Sequence, residues 1–256
     1  MRATPDGAKA GRLRVALEAG LPVPPFLVVG PDAQLDVSVT SVLDGGPPAG
    51  AHAAEHSYAG QLRSFLSVAT ADGWRDAILA CRAAGQTDGL RAYESATAGG
   101  GAPRTPAVII QSMVLPRCAG MAFSMDPVTG EAGIVGAIVP GLADDLLAGA
   151  TDGVNFRLGP GAALTEGPPE VLGALGMTEA MREELAALLA DVTTSFGSES
   201  GPSALEIEFA VGRLAGTHGP GVRDSLWLLQ VRPITPVPRG VGSDRRTVTR
   251  GGSPDP

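Results

Sequence analysis

Four polar side chains near the end of the chain have the spacing of two β-strands. Glu206 and Glu208 alternate with apolar residues, which predicts a strand with one polar and one apolar face. Gln230 and Arg232 are also two residues apart in an apolar run, so they share a face of a second strand. If these strands are neighbours, one sheet surface presents two carboxylates, an amide oxygen and a guanidinium, which suits Mg²⁺ and phosphate. The predicted strands cover residues 204–211 and 226–232.

The same alternation is typical of a two-stranded sheet edge whose polar side faces water, and the pattern alone leaves both interpretations open. Pro233 directly follows the second run. Because proline has no N–H to donate to a neighbouring strand, we expect the second strand to end there.

Lys9 is the single lysine in a chain that has eighteen arginines. It opens a helical pattern in which Leu13, Ala16 and Leu17 share a face, and Gly20 ends that pattern. A lysine at the start of a surface helix is most simply a solvated side chain, so its position alone assigns it no ligand.

Composition limits the function classes. The 256 residues, 44% of them hydrophobic, suffice for one large domain or two lobes that share a cleft. A formal charge of −8 argues against a nucleic-acid partner, which would need clustered cations. No apolar run approaches the length needed to span a membrane, and Cys81 and Cys118 match no metal or redox spacing. We therefore expect a cytoplasmic protein.

Other segments organise the chain between these patterns. Amphipathic helices are predicted over residues 72–84 and 178–196. Thr178 is the predicted N-cap of the second helix, and the predicted inward residues are Trp74, Ile78 and Cys81 in the first helix and Leu185, Leu188, Leu189 and Val192 in the second. Residues 45–55 are rich in Gly, Pro and Ala and predict a flexible loop. His52 lies in that loop and His56 follows it, and the two are four residues apart without a third metal ligand, so a metal site is not expected there.

Several motifs in a consistent order give the chain a resemblance to a known family. The most specific motif begins at Ala119 and reads Ala-Gly-Met-Ala-Phe-Ser-Met-Asp-Pro-Val-Thr-Gly. It resembles a motif in the ATP-binding domain of phosphoenolpyruvate synthase, pyruvate phosphate dikinase and rifampin phosphotransferase. Further segments that resemble the domain are Gly7-Ala-Lys, Gly20-Leu-Pro-Val-Pro, Tyr58-Ala-Gly-Gln, Glu206-Ile-Glu-Phe-Ala and Leu226-Trp-Leu-Leu-Gln-Val-Arg-Pro-Ile-Thr.

The resemblance implies an α+β fold of the ATP-grasp class, in which two lobes hold the nucleotide in the cleft between them. A long helical stretch of the relatives is absent near the N-terminus, so we expect a reduced first lobe over residues 1–105. The glycine-rich stretch at 96–106 marks the boundary. The second lobe then covers residues 106–236, and 237–256 are expected to be a disordered tail.

The resemblance also implies roles for individual residues. Lys9 and Arg232 would act on the phosphates, and Glu208 with Gln230 would bind Mg²⁺. Glu206 would bind the metal or support its ligands. The remaining implied nucleotide contacts are Gln61, in a loop that closes over ATP, and the backbone near Gln111, Met113 and Val114, facing adenine.

The chain departs from the family at three positions of the implied site. Thr40 stands where a phosphate-binding arginine is expected, which removes a charge that would stabilise the transferred phosphate. Gly136 stands where relatives tend to carry glutamate, and Asp144 replaces another glutamate.

The functional expectation follows from the resemblance. Relatives pass phosphate to a histidine on a mobile domain, and that domain and the substrate domain lie beyond the Arg-Pro-Ile-Thr motif. The first hypothesis is an ATP-binding subunit of a split phosphotransferase, which phosphorylates a histidine on a phosphohistidine-domain partner or a small substrate on a substrate-domain partner. His218 is the internal candidate acceptor. The alternative is a catalytically degenerate nucleotide-binding or structural protein.

Overall fold

The computed structural model describes residues 7–33, 49–53, 64–68, 70–84, 105, 107–196, 204–219 and 221–234. Its helices are α1 Gly7–Glu18, α2 Ala71–Ala84, α3 Asp144–Leu147, α4 Pro169–Ala174 and α5 Glu179–Phe196, with a 3₁₀ turn at Pro160–Ala162. Its strands are β1 Phe26–Val29, β2 Ala49–Ala53, β3 Ser64–Val68, β4 Val108–Ser112, β5 Val114–Met125, β6 Ala132–Pro140, β7 Val154–Leu158, β8 Leu164–Glu166, β9 Leu205–Leu214 and β10 Ser225–Pro233.

Two antiparallel sheets form the framework of the described residues. The first has the order β1-β4-β2-β3, and the second has the order β10-β9-β5-β6-β7-β8. Consecutive strands β5, β6, β7 and β8 are neighbours in the second sheet, as short connections favour. The predicted mixture of helices with antiparallel sheets, an α+β fold, is confirmed.

The chain passes from the first sheet to the second at Met113, between β4 and β5. Strand β4 pairs with β1 and β2, whereas β5 pairs with β6 and β9. The lobe boundary inferred at 105/106 therefore does not coincide with this change of sheet, because β4 follows that boundary yet completes the first sheet. The division of the chain into two lobes at this boundary stays a prediction.

The prediction of a loop over residues 45–55 was wrong for residues 49–53, and the rest of that range lies outside the described residues. Residues 49–53 form β2, which has β4 on one side and β3 on the other. Its sequence Ala-Gly-Ala-His-Ala has little intrinsic strand preference. Pairing on both edges overrides that local preference, and single-sequence reasoning has no access to this pairing.

Helix α1 packs on the core of the second sheet. Ala10, Leu13 and Ala16 are completely buried in the same cluster as Ile207 on β9. Leu17 was expected on this face but is 50% exposed. The apolar stripe of α1 is thus narrower than predicted, and its three inward residues fix the helix against the sheet.

Helix α5 agrees with its prediction in detail. The hydroxyl of Thr178 accepts a hydrogen bond from the backbone N–H of Met181 at 3.3 Å, as an N-cap does. The four buried side chains of the helix are Leu185, Leu188, Leu189 and Val192.

Helix α2 covers the first sheet with the predicted residues inward. Trp74, Ile78 and Cys81 are buried against Val108 and Ile110 of β4. No helix in the described parts of the chain combines the length and apolar character needed to cross a membrane.

Two leucines on α1 give a matched test of how the helix is held. Leu13→Ala should lower the free energy of unfolding by about 2–5 kcal/mol, because it leaves a cavity in a packed core. Leu17→Ala should change it by no more than about 0.5 kcal/mol. Urea unfolding of both variants measures this difference. Equal losses would show that α1 does not pack as described.

Candidate functional site

Strands β9 and β10 pair antiparallel and bring the four polar residues together. Glu208 lies directly opposite Gln230, and Glu206 lies directly opposite Arg232. Opposite residues of an antiparallel pair project from the same face of the sheet. The predicted pairing of the two strands is confirmed, and the four side chains occupy one sheet surface.

A β-bulge at Leu229 makes this common surface possible. Leu228 is paired with Phe209 and Gln230 with Glu208, so Leu229 is an extra residue on β10. With strict alternation, Gln230 would share the face of Leu228, which packs in the hydrophobic core. The bulge reverses the alternation of side chains between the two faces of β10 and places Gln230 beside the carboxylate of Glu208. The sequence pattern carried no sign of this bulge.

Arg232 forms ion pairs with both carboxylates. Its Nη2 lies 2.8 Å from Oε1 of Glu208, and its Nη1 lies 3.6 Å from Oε1 of Glu206. The Glu208 and Glu206 side chains are only 11% and 19% exposed. Burial raises the pKa of Glu206, Arg232 lowers it, and the neighbouring Glu208 raises it again. The guanidinium is therefore the counter-ion that keeps a buried and a partly buried carboxylate together.

Helix α1 adds cations to the same site. Burial lowers the pKa of Lys9, while Glu208 raises it and Arg232 lowers it, so this ammonium group lies within electrostatic reach of both. Arg12 is one turn further along the helix, and its pKa is lowered by burial and by Arg232. Sequence reasoning did not single out Arg12. The sequence signal for Arg12 was its spacing of three residues from Lys9, which makes the two side chains neighbours on the helix surface.

The donor set at this surface fits Mg²⁺. Two carboxylates and an amide oxygen are hard oxygen ligands, and Mg²⁺ commonly takes one or two protein carboxylates with phosphates and waters. No group of three or more His, Cys, Asp or Glu side chains placed to hold a metal occurs in the described ranges. The side chains that would hold the ion are Glu206, Glu208 and Gln230, and the rest of its coordination would come from the ligand.

A segment after α1 links the two sheets beside this site. The carbonyl of Pro22 accepts a hydrogen bond at 2.8 Å from the N–H of Leu228 on β10. The carbonyl of Pro25 accepts one at 2.9 Å from the N–H of Ser112, at the end of β4. The segment thus fixes α1, β4 and β10 relative to one another.

The implied adenine contacts lie at the junction of the sheets. Gln111 is buried on β4, and its Nε2 donates to the carbonyl of Pro24 at 3.5 Å. The carbonyl of Met113 accepts a hydrogen bond from the backbone N–H of Ala215 at 2.7 Å. This carbonyl therefore already has a partner within the protein. Val114 begins β5. Gln61 and Thr40 lie outside the described residues.

Asp126 holds the turn in the most specific motif. Its Oδ1 accepts hydrogen bonds from the N–H groups of Val128 at 2.9 Å and Thr129 at 3.0 Å, and Arg157 donates to its other oxygen. The hydrogen bonds from Thr129, Arg157 and Val128 hold the pKa of Asp126 well below its usual range. Asp126 therefore caps two backbone amides of the turn, and Arg157 on β7 is an addition that the sequence did not suggest.

Gly136 has no room for a side chain. A Cβ atom there would lie 2.4 Å from the ring of Phe156 and 2.6 Å from the carbonyl oxygen of Met121. The aromatic ring therefore fills the space that a glutamate side chain would need. Asp144 begins α3, and burial together with Asp145 raises its pKa.

Comparison with known families supports the resemblance. Residues 49–161 match the family model described as pyruvate phosphate dikinase, AMP/ATP-binding domain. Helix α1 and strands β9 and β10 lie outside this matched range. The match over these residues confirms the resemblance inferred from the sequence motifs.

A curated relative matches most of this chain. The prodigiosin synthesizing transferase PigC of Serratia marcescens is 26% identical over 262 residues, which cover 90% of this chain and 27% of PigC. The chain therefore spans about a quarter of the length of this relative.

Solved structures with a similar course of the chain include two enzymes. The D-alanine-D-alanine ligase from Coxiella burnetii has a TM-score of 0.46 at 11% identity, over 88% of this chain and 46% of that one. The carboxyaminoimidazole ribonucleotide synthase from Aspergillus clavatus, complexed with ATP, also has 0.46 at 11% identity, over 89% and 44%. The chain spans less than half the length of each.

The Asp126 turn predicts a pH-dependent stability. Because its folded-state pKa is depressed, Asp126 stabilises the fold above the usual aspartate pKa of about 4, and this contribution is lost as pH falls through the lower folded-state value. Asp126→Asn should lower the melting temperature at pH 7, and the difference from the wild type should shrink in acid. Melting curves from pH 7 downward measure it, with exposed Asp152→Asn as the control. A difference that stays constant with pH would contradict this role of the carboxylate.

Proposed function

We propose that this chain binds Mg-ATP and moves phosphate from it to a histidine on a partner protein or to a small substrate. The observation that carries the proposal is the cluster on β9, β10 and α1, where a buried and a partly buried carboxylate, an amide and cationic side chains meet. The match of residues 49–161 to an AMP/ATP-binding domain supports the nucleotide class. The relative PigC is named a transferase, which agrees with a group-transfer reaction without naming the group.

Each residue of the cluster has a role in this proposal. Glu208 and Gln230, with Glu206 beside them, would hold Mg²⁺, and the bound ion would neutralise phosphate charge and orient the phosphates. Lys9 and Arg232 bind the phosphate oxygens, where positive charge stabilises the charge that develops during phosphoryl transfer. Phosphoryl transfer needs positioning and electrostatics more than covalent help from the protein, and these side chains supply both.

The phosphate acceptor is proposed to come from outside the described residues. His218 lies in the connection between β9 and β10, at the end of the hairpin opposite to Glu206 and Arg232. Leu214, the last residue of β9 before that connection, lies six residue steps after Glu208, which is roughly 20 Å at strand spacing. Transfer requires reacting atoms about 3–3.5 Å apart, so His218 is too far away to accept the phosphate directly.

A second candidate function is nucleotide binding without transfer. It is favoured by the ring of Phe156, which leaves no space for a side chain at Gly136. In this version the chain would hold a nucleotide as a binding or interaction protein, and Lys9, Arg232 and the carboxylates would keep their binding roles.

Labelled ATP separates the two functions. The protein is incubated with γ- and β-labelled ATP, alone and with candidate proteins that carry an accessible histidine. Phosphotransfer predicts label on the partner that is stable in base and lost in acid, as phosphohistidine is, or label on a small substrate. Lys9→Met should abolish this transfer, whereas Arg75→Met, which changes an exposed arginine on α2, should not.

Two results would contradict the transferase proposal. Tight binding of ATP with no transfer to any partner or small substrate would favour the nucleotide-binding protein. Rapid release of phosphate to water by the lone protein would show that no acceptor partner is required.

A further inference from the structure

Arg12 is a half-buried cation beside the candidate phosphate site that the proposed roles leave unused. It lies three residues after Lys9, so the two side chains are neighbours on the surface of α1. Ala10 and Leu13 are completely buried in the core of the second sheet and hold this part of the helix in place. The position of Arg12 relative to the site is therefore fixed by packing.

Within the described ranges, Arg12 has neither a hydrogen bond nor an ion pair. The nearby carboxylates of Glu206 and Glu208 are already paired with Arg232. Arg232 and Arg12 are near enough for the first to lower the pKa of the second. A half-buried guanidinium held beside another cation, without a carboxylate of its own, raises the free energy of the ligand-free protein.

The balance of charge indicates what would relieve this cost. Lys9, Arg12 and Arg232 carry three positive charges, and Glu206 with Glu208 carries two negative ones. Binding of Mg²⁺ by the carboxylates would release Arg232 and increase the positive excess. A ligand with several negative charges, such as a triphosphate, complements the site, whereas a neutral nucleoside does not.

We propose that Arg12 is a further phosphate-binding residue, which contacts the phosphate chain of the nucleotide together with Lys9 and Arg232. The assignment rests on the proposed function of this site as an ATP site. A guanidinium donates two parallel hydrogen bonds to phosphate oxygens, which suits it to this position.

Binding and stability together test this assignment. Titration calorimetry with ATP and with adenosine is carried out on the wild type, Arg12→Met, Arg12→Lys and the control Arg75→Met. Arg12→Met should weaken ATP about tenfold or more and leave adenosine unchanged, because the lost interaction involves phosphate only. Arg12→Lys should retain most of the affinity, and the control should match the wild type.

The melting temperature of the ligand-free protein gives a second readout that a merely structural role would not produce. Removal of an unpaired cation next to Arg232 should leave the melting temperature of Arg12→Met unchanged or raised. A lowered melting temperature, or a variant that does not fold, would identify Arg12 as a structural residue and overturn the assignment.

The outcomes also separate this inference from the proposed function. If Lys9→Met weakens ATP but Arg12→Met does not, the nucleotide site stands and the role of Arg12 is wrong. If the wild type binds no ATP, the proposed function is overturned, and the role of Arg12 with it.

Discussion

Two acidic side chains that are largely shielded from water on one strand surface need a counter-ion, and the site depends on this electrostatic constraint. Glu206 and Glu208 project from the same face of β9, and Arg232 pairs with both. Two neighbouring carboxylates with little access to water repel each other, and each loses hydration on burial. Arg232 makes the arrangement stable in the ligand-free protein. A metal ion that binds these carboxylates must therefore displace Arg232 from its ion pairs with them.

The surrounding structure serves to keep this cluster in register. The bulge at Leu229 returns Gln230 and Arg232 to the surface of the carboxylates. The hydrogen bond from Leu228 to Pro22 connects this strand to the segment that follows α1, so the helix with Lys9 stays near the site. Three structural devices of different kinds, a bulge, an edge hydrogen bond and a packed helix, thus act on one small surface.

Periodicity predicted the elements whose alternation is carried by large apolar residues. Leu185 and Leu188 on α5 are buried as expected, and the alternation along β9 and β10 predicts which polar residues share the sheet surface. What escaped prediction depends on contacts between distant segments. Strand β2, made of Ala, Gly and His, is defined by its neighbours, and the bulge on β10 is defined by its register with β9. Arg12 becomes a candidate phosphate-binding residue only because α1 packs beside Arg232, which the sequence pattern does not show.

The most direct test is the thermodynamic coupling between Mg²⁺ and ATP. Phosphates would draw Arg232 away from Glu208 and leave that carboxylate available to Mg²⁺. The increase in melting temperature with Mg²⁺ and ATP together should therefore exceed the sum of the increase with Mg²⁺ alone and the increase with ATP in the presence of EDTA. The double variant Glu208→Ala, Gln230→Ala should lose the Mg²⁺-dependent part, while the exposed pair Glu183→Ala, Glu184→Ala should keep it. An unchanged Mg²⁺ response in the first double variant would contradict the assignment of the site.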